Sequence, residues 1–319
     1  MSPQSWYIPQ ALTNMSQQYR NPDDAYLQDA IAPVLLVERK TGKYAYYTKS
    51  NLRKPTTSLR TGKEKTPEID MNVEWKSYST LQEHALKGGL EKDVLEQYLN
   101  PLDPMFDMTR QLMDTMMIER EVNLATTLGN TSTITQNSSP SVQWNASTGA
   151  GTPFTDIVTG INTMILNGLR RPNTIIMGAQ VWNQLANHPD LIDRVKYSQL
   201  GALTTELFAK LISSSSANTN ITRVLIGTAV YDSSVEQIPA PGTTSNGFIW
   251  GKNLWLAYLS PTPGLREVNG MYTLVLRNGR YVDGWPSQDR KTTWVRVNDY
   301  YNQFVVGAEA FYLFTSVVA

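Results

Sequence analysis

Apolar residues recur along this chain in two rhythms, one of period two and one close to 3.6. Residues 34–37 are a compact apolar run, and residues 43–48 collect strand-forming side chains. Ile69, Met71, Val73 and Trp75 then alternate with Asp70, Asn72, Glu74 and Lys76, the pattern of a half-buried strand. Between them lies a polar loop containing Pro55, Gly62 and Pro67. From 81 to 99 the spacing reads as helical, interrupted at Gly88-Gly89. The longest predicted helix follows, with Asp103 at its cap, Pro104 in its first turn and Gly129-Asn130 as its stop. Met105, Met108, Leu112, Met116, Leu124 and Leu128 form its apolar stripes, and at about 1.5 Å per residue it is a rod of roughly 35 to 40 Å.

Residues 130–153 are rich in Ser, Thr, Asn and Gly around Trp144 and read as a surface loop. Helical spacing returns at 154–168. Residues 174–177 then form a short buried strand, Gly178 turns the chain, and a helix starts at Ala179 with Val181, Trp182 and Leu185 as its core. Another helix is predicted at 203–212. Strands follow at 223–226, 228–231, 248–250 and 254–258, and the last 50 residues are strand-rich, including 272–276, 292–297 and 304–306. Residues 1–30 show no period at all, yet they carry Trp6, Tyr7, Tyr19 and Tyr26. Such an arm is expected to lie against another surface.

At 319 residues with 41% hydrophobic content, the chain can bury one elaborate core or two smaller ones. Its formal charge of +0 argues against a protein whose main task is electrostatic grip on nucleic acid. It has no cysteine, which removes disulfides and thiolate chemistry. No apolar run approaches the roughly 18 residues of a membrane span, and the opening MSPQSWYIPQ lacks the basic start and apolar core of a secretion signal.

The strand–glycine–helix at 174–187 resembles the start of a nucleotide-binding or hydrolase site, but the accompanying residues are missing. Gly178 stands alone where a dinucleotide fingerprint needs three glycines, and Gly251-Lys252-Asn253 shares only a Gly-Lys pair with a P-loop. No Gly-x-Ser-x-Gly occurs, and His84 and His188 read as surface or capping histidines. Glu119 and Glu121, two apart on a helix, do not face each other. An α/β hydrolase or a nucleotide-binding enzyme is therefore the remote alternative. No catalytic residue, metal or cofactor is expected.

Charge is segregated instead. Arg39, Lys40, Lys43, Lys49, Arg53, Lys54, Arg60, Lys63 and Lys65 are interrupted only by Glu64, whereas residues 83–121 carry Glu83, Glu91, Asp93, Glu96, Asp103, Asp107, Asp114, Glu119 and Glu121. A basic loop and an acidic helix in one neutral chain suggest self-complementarity, against the simpler alternative of two solvated faces. The candidate inter-subunit residues are thus Trp6, Tyr7, Tyr19 and Tyr26 on the arm, Arg53, Lys54, Arg60, Lys63 and Lys65 on the loop, and Glu83, Glu91, Asp93, Asp107 and Asp114 opposite them.

The stretch "PNTIIMGAQVWNQLANHPDLIDRVKYS" resembles a segment of tailed-bacteriophage major capsid proteins. "APVLLVERKTGKYAYYTKSNLR", "ITRVLIGTAVYDSS", "GFIWGKNLWLAYLSPTPGL" and "VVGAEAFYLFTSVV" follow the order and spacing of that family across almost the whole chain. The resemblance implies an α+β fold of the Hong Kong 97 type. Mapped by order, it places an amino-terminal arm at 1–40, an extended β-hairpin loop at 41–80, and a peripheral domain with a long spine helix at 81–150. An axial domain follows at 151–270, and C-terminal strands return to the peripheral domain at 271–319. It further implies hexamers and pentamers of this chain in a closed icosahedral head around double-stranded DNA bound without sequence specificity. A separate scaffolding protein (the arm being too short to serve), a portal protein and a decoration protein are the expected partners. The expected locations are the virion and, during assembly, the host cytoplasm, with no membrane. An encapsulin-like nanocompartment shell of the same fold is the nearer alternative.

Overall fold

The computed structural model describes residues 21–47, 54, 58–59, 62, 66, 68, 73–78, 80–93, 104–168, 170–196, 203–215, 219–233, 245–262 and 269–319. Its first sheet is built on one long strand. β1 (Val34–Val37) pairs in parallel with β11 (Met271–Leu276), and β11 and β12 (Tyr281–Ser287) lie one after the other along β13 (Thr292–Val305). On the opposite edge of β13 runs β4 (Gln82–Glu91), antiparallel from Tyr301↔Gln82 to Thr292↔Glu91. Val295, Val297 and Tyr301 of β13 are buried on one face, as the period of two requires. A separate two-stranded hairpin pairs β2 (Gly42–Tyr47) with β3 (Val73–Tyr78).

β4 corrects the helix predicted over 81–99; its residues 94–99 lie outside the described ones. Glu, Ala, Leu and Lys favour a helix, but propensity is a weak prior beside ten residues of pairing on β13. The two glycines show what the site demands. A Cβ on Gly88 would run into the Met108 side chain, and one on Gly89 would sit 2.9 Å from Trp294 and Thr292 carbons. Both mark close approach in a strand.

The second sheet has the order β5 (Asn137–Ser138), β14 (Phe311–Phe314), β10 (Leu254–Ala257), β6 (Thr174–Gly178), β7 (Arg223–Gly227). A small hairpin of β8 (Val230–Asp232) and β9 (Asn246–Phe248) lies beside it in sequence. Every residue of β6, β10 and β14 is buried, so this sheet is covered on both faces.

Among the described residues, the helices include α1 (Gln28–Ile31), α2 (Pro104–Gly129), α3 (Pro153–Gly168), α4 (Ala179–Ala186), α5 (Pro189–Val195) and α6 (Thr205–Ser215). Ile157 and Ile161 of α3, Val181 of α4 and Phe208 of α6 join Ile175, Met177, Leu254 and Phe314 in one core. Alternate strand residues Ile176, Trp255, Phe311 and Leu313 point the other way, into a core with Leu27, Ile31, Leu124 and Leu128. The carboxyl-terminal half of α2 thus packs on the second sheet, while Met108, Met113 and Met116 in its earlier turns meet the first. The helix bridges both.

Further sequence expectations meet the structure here. Trp144 is not in a surface loop but fully buried, its indole N–H donating to Asp156 at 2.8 Å and its backbone N–H to Val317. Trp182 is only half-buried, edge-on to Phe208 at 6.0 Å. Of the C-terminal strands expected at 271–319, β11, β12 and β13 lie in the first sheet, while β14 joins the second between β5 and β10. The body side of the expected 1–40 arm is packed from Leu27 onward, because Leu27, Ile31 and Ala32 are core and β1 belongs to the first sheet.

Gly178 needs no ligand to explain it. A Cβ there would collide with the backbone oxygen of Gly251, itself at φ +54°, so the strand end closes against the turn before β10. His188 caps α5: its Nδ1 accepts the Asp190 N–H at 3.2 Å, leaving Nε2–H, 2.9 Å from the Ala150 oxygen, to donate. The turn is architecture.

Candidate assembly interface

The spine helix α2 carries a buried polar cluster. Glu121 is 0% exposed, and three N–H groups converge on its carboxylate. Leu27 N–H and the Trp250 indole N–H donate to Oε1 at 2.9 and 2.7 Å, and Gln28 N–H donates to Oε2 at 2.9 Å. Burial pushes the Glu121 carboxyl above its usual range, while those donors and the Arg120 charge pull it back. Trp250 stands perpendicular to Trp255 at 5.3 Å, and the Trp255 indole donates to Leu128 O, one of the last carbonyls of α2. Beside Glu121, Arg120 pairs with Asp29 at 2.8 Å, and its carbonyl accepts from Gln303 Nε2.

The predicted site residues separate into groups. Trp6, Tyr7, Tyr19, Arg53, Arg60, Lys63 and Lys65 lie outside the described residues. Tyr26 is half-buried on its own subunit, with Asn21 Nδ2 3.4 Å from its hydroxyl, and its neighbours Ala25 and Leu27 are buried. Lys54 is exposed. Glu83 is exposed but accepts the Tyr300 hydroxyl at 2.6 Å; that bond, with burial, pushes the phenol up to about 12. Lys40, from the basic run, sits over the Tyr300 ring at 4.1 Å. Glu91 and Asp93 are exposed at the end of β4, and Asp107 and Asp114, seven apart on α2, are half-buried.

Two acids of the predicted cluster serve the subunit itself. Glu121 is internal, and Glu119 lies 3.5 Å from His84, whose ring stacks on Tyr301 at 4.1 Å. Burial, then the Glu119 charge, holds the Tyr301 phenol well above its usual range. The charge count in the sequence did not separate the buried Glu121, or the exposed Glu119 beside His84, from the other acids.

Apolar exposure is the feature that sequence reasoning missed. Trp75 on β3 is 69% exposed, Phe106 on α2 62% and Leu36 on β1 63%, with Tyr281 and Trp285 open on β12. Trp75 and Tyr44 line a cleft of about 620 Å³ with Phe304 and Val306, between the β2–β3 hairpin and the end of β13. These large side chains, open to solvent on four elements, are candidate contact positions. Alternation placed Trp75 on the half-buried face with Val73, and the structure corrects this: Val73 and Tyr78 are half-buried while 74–77 are exposed.

No family model matches the chain. A curated relative, the major capsid protein of Burkholderia phage BcepMu, is 24% identical over 324 residues, covering 97% of this chain and 96% of that one. A phage-related protein from Bordetella bronchiseptica RB50 has a similar crystal structure, with a TM-score of 0.67 and 20% identity over 93% of this chain and 94% of that one. The capsid structure of cyanophage P-SCSP1u matches with a TM-score of 0.58 and 8% identity, over 93% and 89%. The chain has the α+β shell fold of the Hong Kong 97 type, and along nearly its whole length its sequence is similar to a phage major capsid protein.

Proposed function

We propose that this chain is a major capsid protein that assembles with copies of itself into the head shell of a tailed bacteriophage. The observation that carries this is end-to-end similarity, 97% of this chain against 96% of a phage major capsid protein, on a shell-forming fold. The physics of the subunit supports it. The β2–β3 hairpin pairs only with itself among the described strands, and an isolated two-stranded hairpin is marginal in water. A neighbour that covers Trp75 would stabilise it. One chain in a closed shell needs several contact surfaces at once, which the apolar exposures on β1, β3, β12 and α2 supply.

Within this reading the role is structural. The second sheet and its helices form the axial unit around five-fold and quasi-six-fold axes, and the first sheet with α2 forms the peripheral one. The basic loop, with Arg53, Lys54, Arg60, Lys63 and Lys65, lies over a neighbour near Glu91, Asp93, Asp107 and Asp114. Trp6, Tyr7 and Tyr19 bind a neighbouring surface. Double-stranded DNA fills the shell without sequence-specific contacts, in keeping with the neutral net charge. A separate scaffolding protein, a portal and a decoration protein are its partners, and assembly takes place in the host cytoplasm. Electron microscopy of the purified chain tests the reading. Closed shells, or hexamers and pentamers, are expected; a well-behaved monomer or dimer at all concentrations contradicts it. Shells that capture a cargo enzyme when produced in a cell would move the protein to the nanocompartment class.

A further inference from the structure

We propose that Glu121 is a positioning residue for assembly: it fastens the base of the amino-terminal arm to the spine helix and so fixes where the chain leaves the subunit body. The inference rests on the shell reading above, because only in a shell does the arm's exit point matter to a neighbour. It begins with a local deficiency. α1 is four residues long and opens at Leu27, which has no side-chain cap hydrogen bond. The first N–H groups of a helix have no partner within it. Here the missing acceptor comes from another element 93 to 94 positions away, as Glu121 accepts from both Leu27 and Gln28.

The same carboxylate also holds the Trp250 indole, in the turn that leads into β10. Its helix neighbour Arg120 binds Asp29 of α1 and, through its carbonyl, Gln303 of β13. Two adjacent residues of α2 therefore tie together the arm base, the second sheet and the first sheet. Farther out, Asn21 exchanges hydrogen bonds with Val230, at 2.8 and 3.2 Å. That outer tie is exposed, so the inner one sets the exit geometry. Apolar burial of Leu27 and Ile31 holds the segment close, but it is not directional. Three hydrogen bonds to one carboxylate are directional.

Glu121→Gln is the test, because it keeps the shape but turns an acceptor-only group into one with a donor amide. At most one oxygen then remains for three N–H groups. Hydrogen exchange on the unassembled subunit should show the Leu27 and Gln28 amides exchanging faster by about tenfold or more, as expected when a hydrogen bond to a charged group is lost. Amides of β6 and β10 should be unchanged, and the variant should give aberrant or open assemblies. Trp250→Phe, which removes only the indole N–H, should leave the arm amides protected. Unchanged protection in Glu121→Gln overturns the proposal, and so does freed protection with normal closed shells. Where Glu121→Gln does not fold, Glu121→Asp decides: it keeps the charge, draws it back by one methylene, and is read by the same outcomes. If the unaltered chain forms no shells, the functional reading fails, whereas the exchange comparison still decides whether Glu121 holds the arm base.

Discussion

Trp144 and Trp182 pack against the same core but should behave differently when cut back to alanine. Trp144 is fully buried, in contact range of Phe314 at 6.1 Å, and its indole N–H satisfies Asp156. Trp182 is half-buried and meets Phe208 with one edge. Removing a fully buried large aromatic costs about 3 to 5 kcal/mol, because the lost transfer energy is joined by a cavity the surroundings fill only in part. Trp144→Ala should fall in that range. Trp182→Ala has about half the buried surface to lose and a site open to solvent on one side, so about 1.5 to 2.5 kcal/mol is expected. Trp144→Phe separates the ring from its hydrogen bond and should cost about 1 to 2 kcal/mol. Denaturant unfolding of unassembled subunits measures all three. A Trp182→Ala loss equal to or larger than that of Trp144→Ala would refute the burial assignment.

Gly178→Ala should destabilise the subunit by about 1 to 3 kcal/mol, since its Cβ meets the Gly251 backbone rather than a movable side chain; an unchanged midpoint in the same unfolding assay contradicts this. Glu121, raised by burial, contributes stability that is fully present below its unfolded value near 4.5 and is lost as pH rises through its higher folded value. The stability of the unaltered chain relative to Glu121→Gln should therefore fall with rising pH in that window, and a rise would show that the three N–H donors outweigh burial. Reversing Arg53, Lys54 and Arg60 together should block or misdirect assembly, more so at low salt, where screening is weak; salt-independent, normal assembly in light scattering would sink the loop assignment.

The parts legible in the sequence were those whose signals are local. Pro104 and Gly129 bound α2 as the helix punctuation predicts, and the unbroken run at 174–177 is a strand buried on both faces. What escaped was set by distant partners. Residues 82–91 have helix-forming side chains, yet β13 recruits them as a strand, and only the alternate inward His84, Leu86, Gly88 and Leu90 betray it. Trp144 sits among loop-forming residues because its partners, Asp156 and Phe314, are supplied by α3 and β14. Charge order misled in a similar way. Glu121 counts as one more acid along α2 until Leu27, Gln28 and Trp250 are brought to it across 94, 93 and 129 positions. Among the candidate site, Glu91, Asp93 and Lys54 are outward, while Tyr26 and Glu83 already have partners in their own chain. An aromatic or acidic residue signals affinity, but not whether its partner lies in the same copy or the next.

The claim that matters most is that one chain presents several surfaces to copies of itself. A reconstruction of assembled particles at side-chain detail measures this directly. The account predicts that Trp75 and Phe106, open in the single subunit, are buried against neighbouring copies in a closed shell. Closed particles with both side chains still facing solvent, or no particles at all, would contradict it.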